Sequence, residues 1–208
     1  MTAGARHPSI GELLARIVPA AGRLTAATLH QLDQYVGTLL EWNQRINLTG
    51  ARTAQELVEQ HVADALFLLP HLPDDPFCFV DVGSGNGLPG LVLRILRPDA
   101  GGVLLEPVRK KHAFLAHAIR QLQLQGLRAL PERLERHLET GGAGRYDLAV
   151  SRATWPPEEW LELARPLIRP GGRVLAQEAG VNSGVPPGVG RHPYLIAGRR
   201  RAVLVLDL

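Results

Sequence analysis

Phe79-Val80-Asp81-Val82-Gly83-Ser84-Gly85-Asn86-Gly87-Leu88-Pro89-Gly90 is the stretch on which the reading of the chain turns. Residues 77–82 are nearly all apolar, with β-branched and aromatic members, and this pattern predicts a buried strand. Glycines then interrupt it, and Leu91-Val92-Leu93-Arg94-Ile95-Leu96 resumes with helical spacing. Strand, glycine-rich turn and helix form the first unit of a doubly wound α/β domain. In such a domain the ligand lies outside the carboxyl ends of the strands, where the strand order reverses. Gly83, Gly85 and Gly87 let the backbone turn sharply and let a bulky ligand approach. Asp81 is an acid at the end of a strand that would otherwise stay apolar. The next strand, Val103-Leu104-Leu105, ends in Glu106, placed to accept hydrogen bonds from ribose hydroxyls.

Composition limits the alternatives. A chain of 208 residues with a hydrophobic fraction of 45% holds one generous domain, or one domain with a helical extension. No segment approaches the length of a membrane span, and the N-terminus lacks the apolar core of a secretory signal. Cys78 is the single cysteine, so no disulfide framework is available and a reducing, cytoplasmic compartment is expected. The net charge is +3, and Lys110 and Lys111 are the only lysines. Arginine suits bidentate phosphate and guanine contacts, although a genomic arginine bias gives the same composition. No Cys or His cluster has metal-ligand spacing, and no Gly-Lys-Ser/Thr phosphate loop is present.

Helices are predicted over 10–18, from the Thr25 cap to about Trp42, and from a Thr53/Glu56 capping box to Pro70. His61 and Asp64 lie three apart on the last of these and read as an ordinary surface pair. Residues 1–72 are therefore expected to be a helical extension packed on an α/β domain over 77–208. A helix beginning at Arg109-Lys110-Lys111-His112 places basic side chains against its dipole. A third strand over 128–130 and a fourth over 146–152, ending in Ser151-Arg152, follow. A helix around Trp160 and a strand over 173–176 come next. Residues 194–196 and 203–206 are expected to pair across the basic turn Ala197-Gly198-Arg199-Arg200-Arg201, a candidate nucleic-acid contact. Residues 179–193 are rich in glycine and proline and are left without assigned structure.

A sheet of this kind holds a dinucleotide or S-adenosylmethionine, and an antiparallel terminal hairpin favours the latter. The chain resembles the small-subunit ribosomal RNA guanine-N7 methyltransferases, the glucose-inhibited division protein B family. The resemblance rests on Trp42-Asn43 with Asn47-Leu48-Thr49, on His61 and Asp64, and on the glycine stretch ending Gly87-Leu88-Pro89-Gly90. It continues through Leu105-Glu106 with Lys110-Lys111, Phe114-Leu115, Arg133-Leu134-Glu135 and Ser151-Arg152-Ala153. It implies a Rossmann-like class I methyltransferase fold: a mostly parallel seven-stranded sheet with an antiparallel terminal hairpin and an N-terminal helical extension. It further implies that Gly83 and Leu88 line the methionine and ribose region and that Glu106 holds the ribose, with Asp81 and Gly85 of the same stretch also expected to bind the cofactor. Leu134 and Glu135 would flank the adenine, and Arg152 would stand at the cofactor and the reaction centre. The expected substrate is small-subunit (16S) ribosomal RNA, naked or in the assembled subunit, and the expected protein is a monomer that needs no metal.

The chemistry agrees with the absence of an obvious base, since guanine N7 carries an in-plane lone pair and no proton. Cytosine C5 methylation needs a cysteine nucleophile, and Cys78 stands near the start of a buried strand. Amino-group methylation usually shows an Asp/Asn-Pro-Pro-aromatic turn, where this chain has Ser151-Arg152-Ala153-Thr154-Trp155-Pro156-Pro157. The fifth strand ends Gln177-Glu178 where the family has Leu-Lys-Gly, and an acid there is expected to repel RNA phosphate. The alternatives are a methyltransferase of another RNA or a small molecule, a non-catalytic RNA-binding module, and, more remotely, a dinucleotide oxidoreductase.

Overall fold

The computed structural model describes residues 8–180 and 185–208. Ser9 caps α1 (Ile10–Ile17), accepting from the Glu12 amide while the Glu12 carboxylate takes the Ser9 amide. Thr25 caps α2 (Ala26–Asn43) through the Thr28 amide. Thr53 does the same at α3 (Ala54–Leu57), but Glu56 reaches one residue further back than a capping box requires, to the Arg52 amide. The helix then widens into a π-turn over Val58–Val62 and closes as α4 (Ala63–Leu66).

The rest alternates. In order come β1 (Cys78–Val82), α5 (Gly90–Leu96), β2 (Gly101–Leu105), α6 (Arg109–Gln121) and β3 (Leu127–Leu130). Then come α7 (Leu134–His137), β4 (Tyr146–Ser151), α8 (Pro157–Ala164), β5 (Ile168–Ala179), β6 (Val189–Ile196) and β7 (Arg199–Asp207). The sheet order is β3-β2-β1-β4-β5-β7-β6, with the first five strands parallel and β7 antiparallel to both neighbours. Strand order reverses between β1 and β4, so the crevice expected of a doubly wound sheet opens at their carboxyl ends.

Side-chain alternation distributes the core. Phe79, Leu104, Leu148 and Val203 pack on one face against Leu32, Tyr35 and Leu39 of α2, Leu57 of α3 and Phe114 of α6. Val80, Val82, Val103 and Ala149 pack on the other against Trp160 and Leu161 of α8. The N-terminal helices therefore belong to the same apolar cluster as one face of the sheet.

Three expectations need correction. The strand expected over 173–176 runs from Ile168 to Ala179, because the antiparallel partner β7 pairs along it from Arg173 to Ala179. The basic tripeptide is in β7 and not in a turn: only Ala197 and Gly198 connect β6 to β7, both with positive φ (47° and 71°). A two-residue connection of that kind matches the twist of the flanking strands. The register that it sets puts Arg199 and Arg201 on one face of the hairpin and Arg200 on the other. The stretch 179–193 contains most of β6, and residues 181–184 within it lie outside the described residues, as do residues 1–7 of the expected leader.

Candidate functional site

The glycine loop after β1 is shaped by what it must avoid. Gly83 has φ +73°, and a Cβ there would stand 2.5 Å from Thr154 Oγ1. At Gly90 a Cβ would meet Leu104 Cδ2 at 2.4 Å and Asp81 Oδ2 at 2.6 Å. Only glycine lets the start of α5 come this close to the carboxylate and the strand. Between the loop, β2 and the segment after β4 lies a cavity of about 490 Å³. Gly83, Gly85, Leu88, Glu106 and Arg152 line it, together with Leu48, Lys111, Ala153 and Thr154.

Glu106 is 4% exposed, and both of its oxygens are engaged. Oε2 accepts from the Gly85 amide at 2.9 Å and Oε1 from the Val108 amide at 2.8 Å. The carboxylate thus ties the glycine loop to the end of β2 at the wall of the cavity. Tyr35, fully buried on α2, donates to the Asn86 carbonyl at 2.9 Å and braces the loop from behind. Asn43 shapes the opposite wall: its Oδ1 accepts from the Leu48 and Thr49 amides at 2.8 and 2.9 Å. This turn carries Leu48 to the cavity.

Not every expected residue lines the space. Asp81 lies beneath the loop, fully buried, with Oδ2 accepting from the Gly90 amide at 2.9 Å and Oδ1 without a partner among the described residues. Burial raises its pKa to about 7, against the opposing pull of the Gly90 amide and of Arg152. A carboxyl raised in the folded state favours folding fully below its unfolded pKa near 4, and that contribution is lost as pH rises through about 7. Melting temperature is therefore expected to fall across that window in the wild type, and the isosteric Asp81→Asn variant to lose this slope. Identical slopes in both proteins would overturn the assignment.

Leu134 faces the apolar cluster with Val82 and Leu105, and Glu135 is exposed in α7. Neither lines the cavity.

Arg152, just past β4, has a side chain only 15% exposed and is gripped from the N-terminal helix. Its Nη1 lies 3.3 Å from His61 Nδ1 and 3.7 Å from Asp64 Oδ2. Asp64 is fully buried and also accepts from Arg201 Nη1 at 2.9 Å and Tyr194 Oη at 2.7 Å. Its carbonyl takes Gln177 Nε2 at 2.9 Å. The expectation of a surface pair at His61 and Asp64 is thus overturned, since the helix face carrying them is covered by the terminal hairpin. Burial, followed by the Arg152 charge, lowers His61 to about pH 4, so its ring is neutral near neutrality. Glu178 departs from expectation as well. It is 4% exposed and paired with Arg191 at 2.9 Å, so its charge is compensated before it can repel a phosphate. Sequence reasoning placed Arg201 in a candidate nucleic-acid contact but not at Asp64, and named neither Tyr194 nor Thr154 for the site, because each meets a part of the chain distant in sequence.

Among the described residues, no group of three or more His, Cys, Asp or Glu could hold a metal ion, and no helix is long and apolar enough to cross a membrane.

This sheet order, with its switch-point cavity and antiparallel last strand, is the fold of the S-adenosylmethionine-dependent methyltransferases. A methyltransferase of that class from Aquifex aeolicus superposes with a TM-score of 0.53 at 12% identity, over 74% of this chain and 93% of its own. The family model described as GidB, rRNA small subunit methyltransferase G, matches residues 28–181. The Myxococcus xanthus protein named Ribosomal RNA small subunit methyltransferase G is 39% identical over 158 residues, covering 76% of this chain and 72% of the relative. The Moorella thermoacetica protein of the same name is 35% identical over 198 residues, 90% of this chain and 81% of its own. The chain belongs to the GidB family.

Proposed function

We propose that this protein is an S-adenosylmethionine-dependent methyltransferase that modifies N7 of a guanine in small-subunit (16S) ribosomal RNA. The observation that carries this reading is the switch-point cavity that joins a glycine cradle, a buried ribose-type acid and a half-buried arginine. The similarity to proteins named for ribosomal RNA methylation supplies the substrate. The residues fit the cofactor: a Cβ at Gly83 would fill its cradle, the unpartnered Oδ1 of Asp81 lies beneath the loop, and the volume is that of a ligand pocket. When bound, S-adenosylmethionine supplies an electrophilic methyl group on its sulfonium.

The chain's own part is positioning. Gly83, Gly85 and Leu88 would hold the methionine and ribose region and Glu106 would accept the ribose hydroxyls, while Leu134 and Glu135, outside the cavity, would meet the adenine only where the ligand extends past it. Guanine N7 has no proton to remove, so the site needs in-line placement and a donor for the guanine edge, and no general base. Arg152 is the proposed donor to O6; a donor on N7 itself would block transfer. His61 and Asp64 restrict the guanidinium on one side, which leaves its cavity side for the base. A monomer acting in the cytoplasm is the working form of the proposal.

The test is transfer of labelled methyl to small ribosomal subunits from cells that lack this modification, with Arg152→Ala in parallel. Label in 7-methylguanosine with wild type, and loss with Arg152→Ala, is the expected result. Label in another nucleoside, or normal transfer by Arg152→Ala with normal cofactor affinity, would overturn the target and the arginine assignment respectively.

A further inference from the structure

We propose that the recess between the helix over 54–66 and the terminal hairpin is a subsite for a backbone phosphate of the RNA, next to the target nucleotide. The recess encloses about 210 Å³ and is lined by Gln60, His61, Ile196, Ala197, Arg199 and Arg201. None of these is acidic. Among the described residues, the one carboxylate paired with an arginine of the recess is that of Asp64, which holds Arg201 and is itself fully buried.

Three features make this a built site rather than a surface patch. Asp64 holds Arg201 by Nη1, which fixes the guanidinium and leaves its Nε and Nη2 without partners among the described residues. An oriented arginine loses less freedom when it meets a phosphate. Arg199 lies on the same face two residues away and has no acidic partner among the described residues. His61 supplies the third feature. A guanidinium can only donate, so His61 Nδ1 accepts from Arg152 and the neutral ring carries its proton on Nε2. That N–H has no partner among the described residues, and the ring lines the recess. The recess therefore offers donors from Gln60, His61, Arg199 and Arg201 to a tetrahedral oxyanion.

The link to chemistry is also His61. One ring nitrogen contacts Arg152, which lines the reaction cavity, and the same ring lines the recess. A phosphate seated in the recess brings its attached nucleotide to the mouth of that cavity. Arg152 and Arg201 share the Asp64 carboxylate and Arg199 has no acidic partner among the described residues, so the surplus positive charge faces the RNA. The inference rests on the ribosomal RNA reading for the identity of its ligand, and its test separates the two.

The test compares two charge reversals of equal size that differ only in the face of β7. Arg199→Glu alters the recess, whereas Arg200→Glu alters the opposite face. Affinity of each protein for a fluorescent single-stranded RNA oligomer would be measured across a salt series, with a cofactor titration and transfer to small subunits in parallel. Arg199→Glu is expected to weaken RNA binding about tenfold and to reduce the salt slope by about one, with cofactor affinity unchanged. Arg200→Glu is expected to stay within about twofold of wild type, and Arg199→Lys to recover most of the loss. Equal losses in Arg199→Glu and Arg200→Glu, or none in Arg199→Glu, would overturn the subsite whatever the transfer assay shows. If wild type fails to methylate subunits while the difference between the two reversals stands, the subsite survives and the ribosomal substrate falls.

Discussion

Replacing Glu106 by alanine is expected to weaken binding of S-adenosylmethionine by about 100-fold. The carboxylate accepts from the Gly85 and Val108 amides, and such charge-assisted bonds are worth about 1.5–3 kcal/mol each. Their loss frees the glycine loop from the end of β2, and the proposed ribose acceptors go with them. A net cost of about 3 kcal/mol corresponds to roughly two orders of magnitude in dissociation constant. Glu106→Gln keeps one acceptor and turns an NH2 group towards an amide donor, so it should fall between alanine and wild type. Isothermal titration of the three proteins decides the matter, and a dissociation constant for Glu106→Ala within threefold of wild type would sink the argument.

Asp64→Asn is expected to lower the melting temperature by about 10 °C and to slow methyl transfer. Asn keeps the shape but not the charge, leaving Arg201 and Arg152 without their shared counter-ion. Breaking a buried pair from one side costs about 3–5 kcal/mol, and each kcal/mol moves a domain of this size by about 2–4 °C. The transfer loss has a separate origin, because an unrestrained Arg152 no longer meets the guanine edge in one geometry. A displacement of about 1 Å can cost as much as 100-fold in rate. Replacing both partners of the closer pair, Asp64→Leu with Arg201→Met, should recover part of the melting temperature but not transfer, since Arg152 stays without its counter-ion. Recovery of both would mean that the cluster only supports the fold.

These two predictions concern residues of unequal legibility. Glu106 can be reached from sequence, since it ends a short apolar strand about twenty residues after a glycine loop that also ends a strand. The pattern is local, and backbone geometry alone brings the two together across parallel β1 and β2. Asp64 could be read only as a surface acid. Its partners Tyr194 and Arg201 stand 130 and 137 residues further on, and helical spacing says which side a residue faces but not what covers that side. The setting of Glu178 is hidden from the sequence for the same reason. Its charge is cancelled by Arg191, whose place is set by the pairing of β6 with β7.

By itself the sequence determined the order of elements, the glycine loop and the acid opposite it, because these follow from periodicity and from the backbone freedom of glycine within a few tens of residues. Family resemblance added the cofactor and the substrate class through motifs in the same local stretches. Tertiary structure alone decided the electrostatic half of the site. Packing of the terminal hairpin on the π-turned helix buries Asp64, turns Arg201 and Tyr194 onto it, neutralises His61 and holds Arg152 at the cavity. Charges removed from water acquire their meaning from the partners that meet them there, and those partners are chosen by the register of two strands at the far end of the chain.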